Sequence, residues 1–538
     1  MNRRHLAFPA TALCVSAFLS AQTPVLRIQG AENLTINDRG DIAYILDFGP
    51  NGKQLRVEPV LGPGPFSVAL SAGISFPSLL PSFPDALIDD LGAFALDGSG
   101  QLVLSMELSD PALPSLNEGL YRINDVPLTN GDAIAHTSLS PGSSWLQFSS
   151  LVKTSPSGRI LLSGTVSDAA IPGFADEVLA SFELDGNGDV QDLEIFAVES
   201  GPVPNLPGFV VRQAGLPNRQ TDADINDAGD VLWTVRMQSP GVTSERALFL
   251  NDELLIQQRQ PSPIPSQNWG GIFGPMDLNE QGDWLVQAQI GSGPQNGVLV
   301  LNGNVIVREG DGVPGTATTI FRFASQTPVG LTADARPVYQ VELFGGGTAI
   351  LVGDEIVART GETQLGGLLL EEIRDARDTL SLSANGRFLA FRGLLEFGVD
   401  VYGVIDLGIV RPLVACQPNT GELSLDGAPV LGNTIFFSAD NAPSPTAEPY
   451  LMISSAPWPS AMPPCGLTVS SGELLINFGG ADPLLVQPMT LSTNSASVYI
   501  STSPVLVNLP LYAQGIFVDP GGPEPLRLTN AMEIVIGS

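Results

Sequence analysis

The hydrophobic positions of this chain repeat in a fixed order. An apolar strand ends in a tight polar turn, a second apolar strand follows, and a hairpin joins two more. The unit is clearest from Pro275 to Asp311, where the turn Asn279-Glu-Gln-Gly282 precedes the strand Trp284 to Ile290. The arms Val298 to Leu301 and Val305 to Arg308 then flank Asn302-Gly303. Asn-Gly is a strong hairpin signal because a type I′ turn needs positive φ at both central residues. The strand-forming segments are apolar at consecutive positions, so both faces must be covered, as when sheets stack face to face.

Seven copies of the turn-plus-strand follow one another. They are Asn37 to Gly40, Asp97 to Gly100, Ser155 to Gly158, Asn226 to Gly229, Asn279 to Gly282, Leu331 to Ala335 and Leu382 to Gly386. Counting from the closing Gly, or from Ala335 in its place, gives spacings of 60, 58, 71, 53, 53 and 51. The hairpins Asn251-Asp252, Asn302-Gly303 and Gly353-Asp354 keep the same beat, 51 residues apart. Asn or Asp opens such a turn by bonding nearby backbone, and Gly supplies the left-handed residue that closes it. Ala335 carries a Cβ, so its turn should cost about 1 kcal/mol more or take another shape.

A fixed period of this length means an array of supersecondary units. Four antiparallel strands per unit, each unit needing neighbours on both faces, describes an all-β fold: a β-propeller of about seven blades over residues 22–413. Six and eight blades stay open, because the second and third copies are irregular. A strand from Val25 to Gln29 is expected to complete the last blade and close the ring. From residue 414 to 538 the period breaks, and about seven short strands separated by Pro, Gly and Asn predict a second domain, a β-sandwich.

Residues 1–21 read as a signal peptide: Arg3 and Arg4, an apolar run from Leu6 to Leu19, and small residues at Ser20-Ala21. With no other apolar run long enough to span a bilayer, the mature chain is expected to be secreted or held at the cell surface. Loss of the leader takes the formal charge from −32 to −34. That surface repels phosphate backbones, which argues against nucleic acid as a partner. Cys416 and Cys465, the pair left in the mature chain, are expected to form a disulfide. Closing their loop contributes about 4 kcal/mol in the chain-entropy model.

The turn Asn37-Asp-Arg-Gly40-Asp-Ile-Ala43-Tyr44 and the linker Glu309-Gly-Asp-Gly-Val-Pro-Gly315 resemble secreted bacterial tandem-repeat proteins that carry an NxxGxxAF motif. The tail is similar to a C-terminal domain of exported planctomycete proteins, on Val430-Leu-Gly432, Leu511 to Gly515, Asp519-Pro520, Leu528 to Asn530 and the two cysteines. The resemblance implies export and a propeller-like repeat. It brings no defined activity or substrate.

Chemistry-bearing motifs are sparse. His136 is the one histidine after the leader, no GxSxG turn accompanies it, and Lys53 and Lys153 are the only lysines. Ser-His-Asp catalysis, His-rich metal sites and Schiff-base chemistry are therefore poorly supplied. Asp185, Asn187 and Asp189 place alternating oxygens as at the start of a Ca²⁺ loop, though Val190 and Phe196 depart from that pattern. Two readings stand there, a Ca²⁺ ligand set and an ordinary Asp/Gly hairpin turn. No other cofactor is expected.

Trp145, Trp233, Trp269 and Trp284 offer rings that can stack on sugars; Trp233 and Trp284 fall at core positions of the repeat, while Trp269, in a Pro/Ser/Gln/Asn-rich loop, is the expected exposed contact for a ligand. The pattern thus predicts an exported, non-enzymatic binding or surface-interaction protein whose partner is an extracellular glycan or protein. The loops 201–221 and 257–275 and the channel mouth are the expected contact regions. The alternative is a polysaccharide hydrolase built on two axial carboxylates, for which no pair can be chosen from sequence.

Overall fold

A computed structural model describes most of residues 25–537, apart from short stretches that include 60–66, 74–84, 168–174, 215–222, 414–418 and 458–466. The described chain is built of antiparallel sheets. Seven sheets follow in chain order up to residue 406. Their first strands are Ala31–Ile36, Leu87–Leu96, Ser144–Thr154, Val210–Ala214 continued by Ala223–Ile225, Trp269–Leu278, Ile320–Phe323 continued by Gly330–Leu331, and Leu368–Ile373 continued by Leu380–Leu382.

All seven expected turns are present with one geometry. The closing residue has positive φ each time, from 59° at Ala335 to 97° at Gly158, and its N–H donates to the carbonyl three residues back. The opening residues are Asn37, Asp97, Ser155, Asn226, Asn279, Thr332 and Ser383, all buried. In each, a side-chain oxygen accepts the amide four residues on. One short oxygen suffices, which explains why the position drifts among four residue types. Ala335 does not take another shape: it adopts the same left-handed turn at φ 59°.

The sheets pack in sequence through shared apolar cores. Leu55 and Leu104 share the core between the first and second sheets, Trp145 and Val103 that between the second and third, and Leu161 and Trp233 the next. Leu248 with Val286, Leu299 with Tyr339, and Ile350 with Phe391 continue the series. Then Ile42 and Tyr44 of the first sheet pack with Phe388 and Tyr402 of the seventh. Each first strand contacts the next, and that of the seventh sheet contacts that of the first. Val25–Arg27 pairs antiparallel with Val399–Asp406 and supplies the outer strand of the seventh sheet, as expected.

The tail starts earlier than the expected residue 414. Ile409–Leu413 pairs with Leu526–Val535, so these residues belong to the tail's sheet. Gly408, at φ 70°, turns the chain out of the seventh sheet, and a Cβ there would meet the Val535 carbonyl and Pro429. Behind it, Arg387 grips Asp406 through two bonds of 2.8 and 2.9 Å. A five-stranded sheet and a three-stranded sheet then share one core, with Leu423, Ile435 and Phe437 facing Leu451, Phe517 and Ile534. Cys416 and Cys465 lie outside the described residues.

Candidate functional site

The connections at the two ends of the strands, here called the two edges of the body, differ in chemistry among the described residues. At the edge carrying the Asn/Asp–Gly turns, the residue two before each opening residue sits at the same place in successive first strands. In the third, fourth and fifth sheets that residue is Lys153, Asp224 and Asp277. Lys153 Nζ lies 3.4 Å from Asp224 Oδ1. Asp224 Oδ2 accepts the Leu278 amide at 2.9 Å, and Asp277 Oδ2 accepts the Leu331 amide at 2.6 Å, so each carboxyl is tied to the following sheet.

Burial, then the charge and hydrogen bond of Asp224, push the Asp277 carboxyl well above its ordinary value. Burial pulls Lys153 down, but Asp224 and Asp277 more than offset it and hold the ammonium above the ordinary lysine range. The three groups set two carboxyls beside one cation, a latch in which the ammonium faces Asp224 and each carboxyl holds a backbone amide of the following sheet.

Outside this cluster the turns themselves join hands. Asn385 N–H donates to Asp38 Oδ1, Gly98 N–H to the Pro156 carbonyl, Ser157 N–H to Asp227 Oδ1 and Asp227 N–H to Glu280 Oε2. Asn279 Nδ2 reaches the Thr332 carbonyl, and Gly386 packs so closely on Thr332 that a Cβ would stand 2.5 Å from its Cα. Glu280 is pushed up to about 7, first by burial and then by the charges of Asp227, Asp224 and Asp38, against the opposing hydrogen bond from the Asp227 amide.

The far edge carries exposed rings instead. There the second and third strands are joined by Phe48 in the first sheet, Phe344 in the sixth and Phe397 in the seventh, sheets that are neighbours. They are 42%, 66% and 88% exposed. Phe344 leads into Gly345-Gly-Gly347 and stands edge-on to Phe321, 6.3 Å between centroids. Phe397 has φ 68°, a conformation a bulky residue adopts only when its surroundings impose it. The fourth sheet turns the same corner with Pro240-Gly241 and no ring.

The expected contact at Trp269 is corrected. It is 7% exposed and begins the first strand of the fifth sheet, opposite Ile290, packed with Ile256 and Met276. The polar run before it forms its own compact turn, with Ser262 bonded to Ile264 and Gln267, and this leaves the indole inside. Trp233 and Trp284 are core residues, as expected, and Trp145 is buried as well. His136 sits in a loop, where Nδ1 accepts the Ser138 amide.

Of the Ca²⁺ candidates, Asn187 lies outside the described residues. Asp185 Oδ1 accepts the Asp189 amide at 3.0 Å in the hairpin between Ala175–Leu184 and Val190–Val198, so that oxygen is spent on the turn. Among the described residues no three His, Cys, Asp or Glu side chains group as a metal site requires. No helix among them is long and apolar enough to cross a membrane. No family model matches the sequence, and no curated protein is detectably similar to it.

Lys153, Asp224 and Asp277 were legible only by aligning the turns on their opening residues, since each stands two positions earlier. The ring-bearing corners had a plainer signal: Phe344 precedes three glycines, and Phe397 lies in Glu-Phe-Gly between two apolar strands.

Proposed function

We propose that the seven sheets are the blades of a closed β-propeller, that the tail is a small β-sandwich, and that the chain is an exported, non-enzymatic binding or surface-interaction module. The seven shared cores and the pairing of Val25–Arg27 with the last sheet support closure. The leader-like residues 1–21 and the strongly acidic composition support export. The observation that carries the binding reading is the row of exposed Phe48, Phe344 and Phe397 at one edge of three neighbouring sheets. Exposed aromatic residues gathered on one side are a common mark of an interaction site.

The hydrolase reading is disfavoured by the latch. Glycosidase carboxyls stand about 5 to 9.5 Å apart and act separately. Asp224 and Asp277 instead act on each other's ionisation, and each holds a backbone amide.

The test is binding of the mature chain to glycan and peptide arrays, with and without Ca²⁺, repeated with the triple variant Phe48→Ala, Phe344→Ala, Phe397→Ala. A ligand retained by the parent and lost by the triple variant at unchanged melting temperature supports the proposal. Equal retention by both, or release of reducing sugar from array glycans, overturns it.

A further inference from the structure

The tail presents a second face whose chemistry differs from that of the ring-bearing edge. The three-stranded sheet is formed by Glu422–Asp426, Thr434–Asp440 and Ser495–Tyr499. Its inner residues, among them Leu423, Ile435, Phe437 and Ala496, enter the tail core. Alternation sends the others outward. In register across the outer face lie Thr434 with Tyr499, then Asp426, Phe436 and Ser497, then Ser424, Ser438 and Ser495, then Glu422 with Asp440.

Two aromatic rings stand on this face, Phe436 at 49% and Tyr499 at 63% exposure. They are diagonal neighbours on adjacent strands, which places their Cα atoms roughly 7–8 Å apart. Hydroxyl residues surround them and three carboxylates lie along the margin, while the three strands contain no Lys, Arg or His. Apolar rings flanked by hydrogen-bonding groups fit a ligand with apolar C–H faces and hydroxyl edges. The lack of any cation argues against phosphate, sulfate or uronate groups.

Size narrows the choice further. Three strands about 4.8 Å apart, two of five residues and one of seven at about 3.3 Å each, give a platform of roughly 10 by 17–23 Å. A stable protein interface needs about 800 Å² from each partner, several times that area. A short run of sugar rings needs no more.

We propose that this face binds a neutral polysaccharide, its pyranose rings stacked on Phe436 and Tyr499 and its hydroxyls bonded to Ser497, Thr434 and Asp426. The site is independent of the Phe-bearing edge of the seven sheets, so it can fail or stand without affecting the reading given there.

The test is affinity electrophoresis of the full mature chain in gels containing a soluble β-glucan, a xylan or a mannan, with polygalacturonate as the anionic comparison. At least one neutral polymer should retard the parent. Phe436→Ala with Tyr499→Ala should raise the apparent Kd at least tenfold, while Tyr499→Phe should keep retardation. Ser497→Arg, which lays a long side chain across the platform without emptying the core, should also abolish it. The triple Phe variant of the other edge should bind as the parent does. Retardation by polygalacturonate alone, by none of the neutral polymers, or equally in all tail variants overturns the proposal. So does a dimer in sedimentation that the double alanine variant dissolves.

Discussion

The two edges of the seven-sheet body use the same strands and arrive at opposite surfaces. At the turn edge, polar groups that start as loop residues end with partners: Asn279 alone accepts the Gln281 and Asp283 amides and donates to Asp283 and Thr332. At the far edge, Phe48, Phe344 and Phe397 are left to solvent, and Phe397 holds an unfavourable backbone conformation besides. Repetition serves the first edge, because each satisfied turn is also the docking surface of the next. At the second edge the corners differ in residue and exposure from sheet to sheet. A motif that recurs in every unit is thus evidence about the scaffold, and residues that differ between units are where recognition can be built.

The largest expected effect falls on the latch of the turn edge. Lys153→Met removes the cation beside Asp224 and Asp277, and because the Lys153 side chain is 32% exposed it should destabilise the seven-sheet body by about 1–3 kcal/mol in denaturant unfolding. Substituting Phe344 by Ala at the far edge should change stability by no more than about 0.5 kcal/mol. Comparable losses at both positions would break the contrast.

A smaller effect concerns Glu280. Its folded pKa of about 7 lies above the ordinary glutamate value, so the folded state holds this proton more tightly than the unfolded chain. The resulting stabilisation is fully present below about pH 4.3 and is lost as pH rises to about 7. Glu280→Gln keeps an oxygen for the Asp227 amide and removes the titration. It should match the parent at pH 4 and below and gain about 1 kcal/mol at pH 8, after discounting for partial exposure. A melting curve against pH that runs parallel for the two proteins would contradict this.

The finest test uses one left-handed residue from each edge. Ala335→Gly and Phe397→Gly should each add about 0.5–1 kcal/mol, because both relieve positive φ at a residue with a Cβ. Only Phe397→Gly should also weaken ligand retention on the arrays. If both changes leave binding untouched, the strain at Phe397 has no part in recognition.

The turn edge was readable from sequence because its chemistry is local. Asn37 bonds the amides of Arg39 and Asp41, partners two and four residues away, so spacing alone exposes it. Thr332 and Ser383 were harder to see as members of the series, since a hydroxyl performs the same service as an amide oxygen. The latch left no local signal, because Lys153, Asp224 and Asp277 stand 71 and 53 residues apart and meet only through the packing of three sheets; only their common place two residues before the turns marks them. Trp269 was misjudged because a polar loop usually lies outside, whereas this one folds on itself and tucks the indole under Ile256. The Ile409–Leu413 strand was assigned to the repeat by its position, but its partner lies more than a hundred residues downstream.

The pairing of Val25–Arg27 with Val399–Asp406 sets the order of assembly. Almost every other ladder before Gly408 joins strands close in sequence and can zip as soon as both arms exist. This one joins Val25 to Gly403 across nearly the whole body. It carries the greatest loop-closure entropy for three residues of ladder, and so is expected to lock last, after the seventh sheet has formed. Until then the outer side of that sheet exposes unpaired amides and carbonyls, a template for any free strand. The seam is therefore where two unfinished chains could exchange their first strands, and where nascent molecules are most in need of dilution or a guardian.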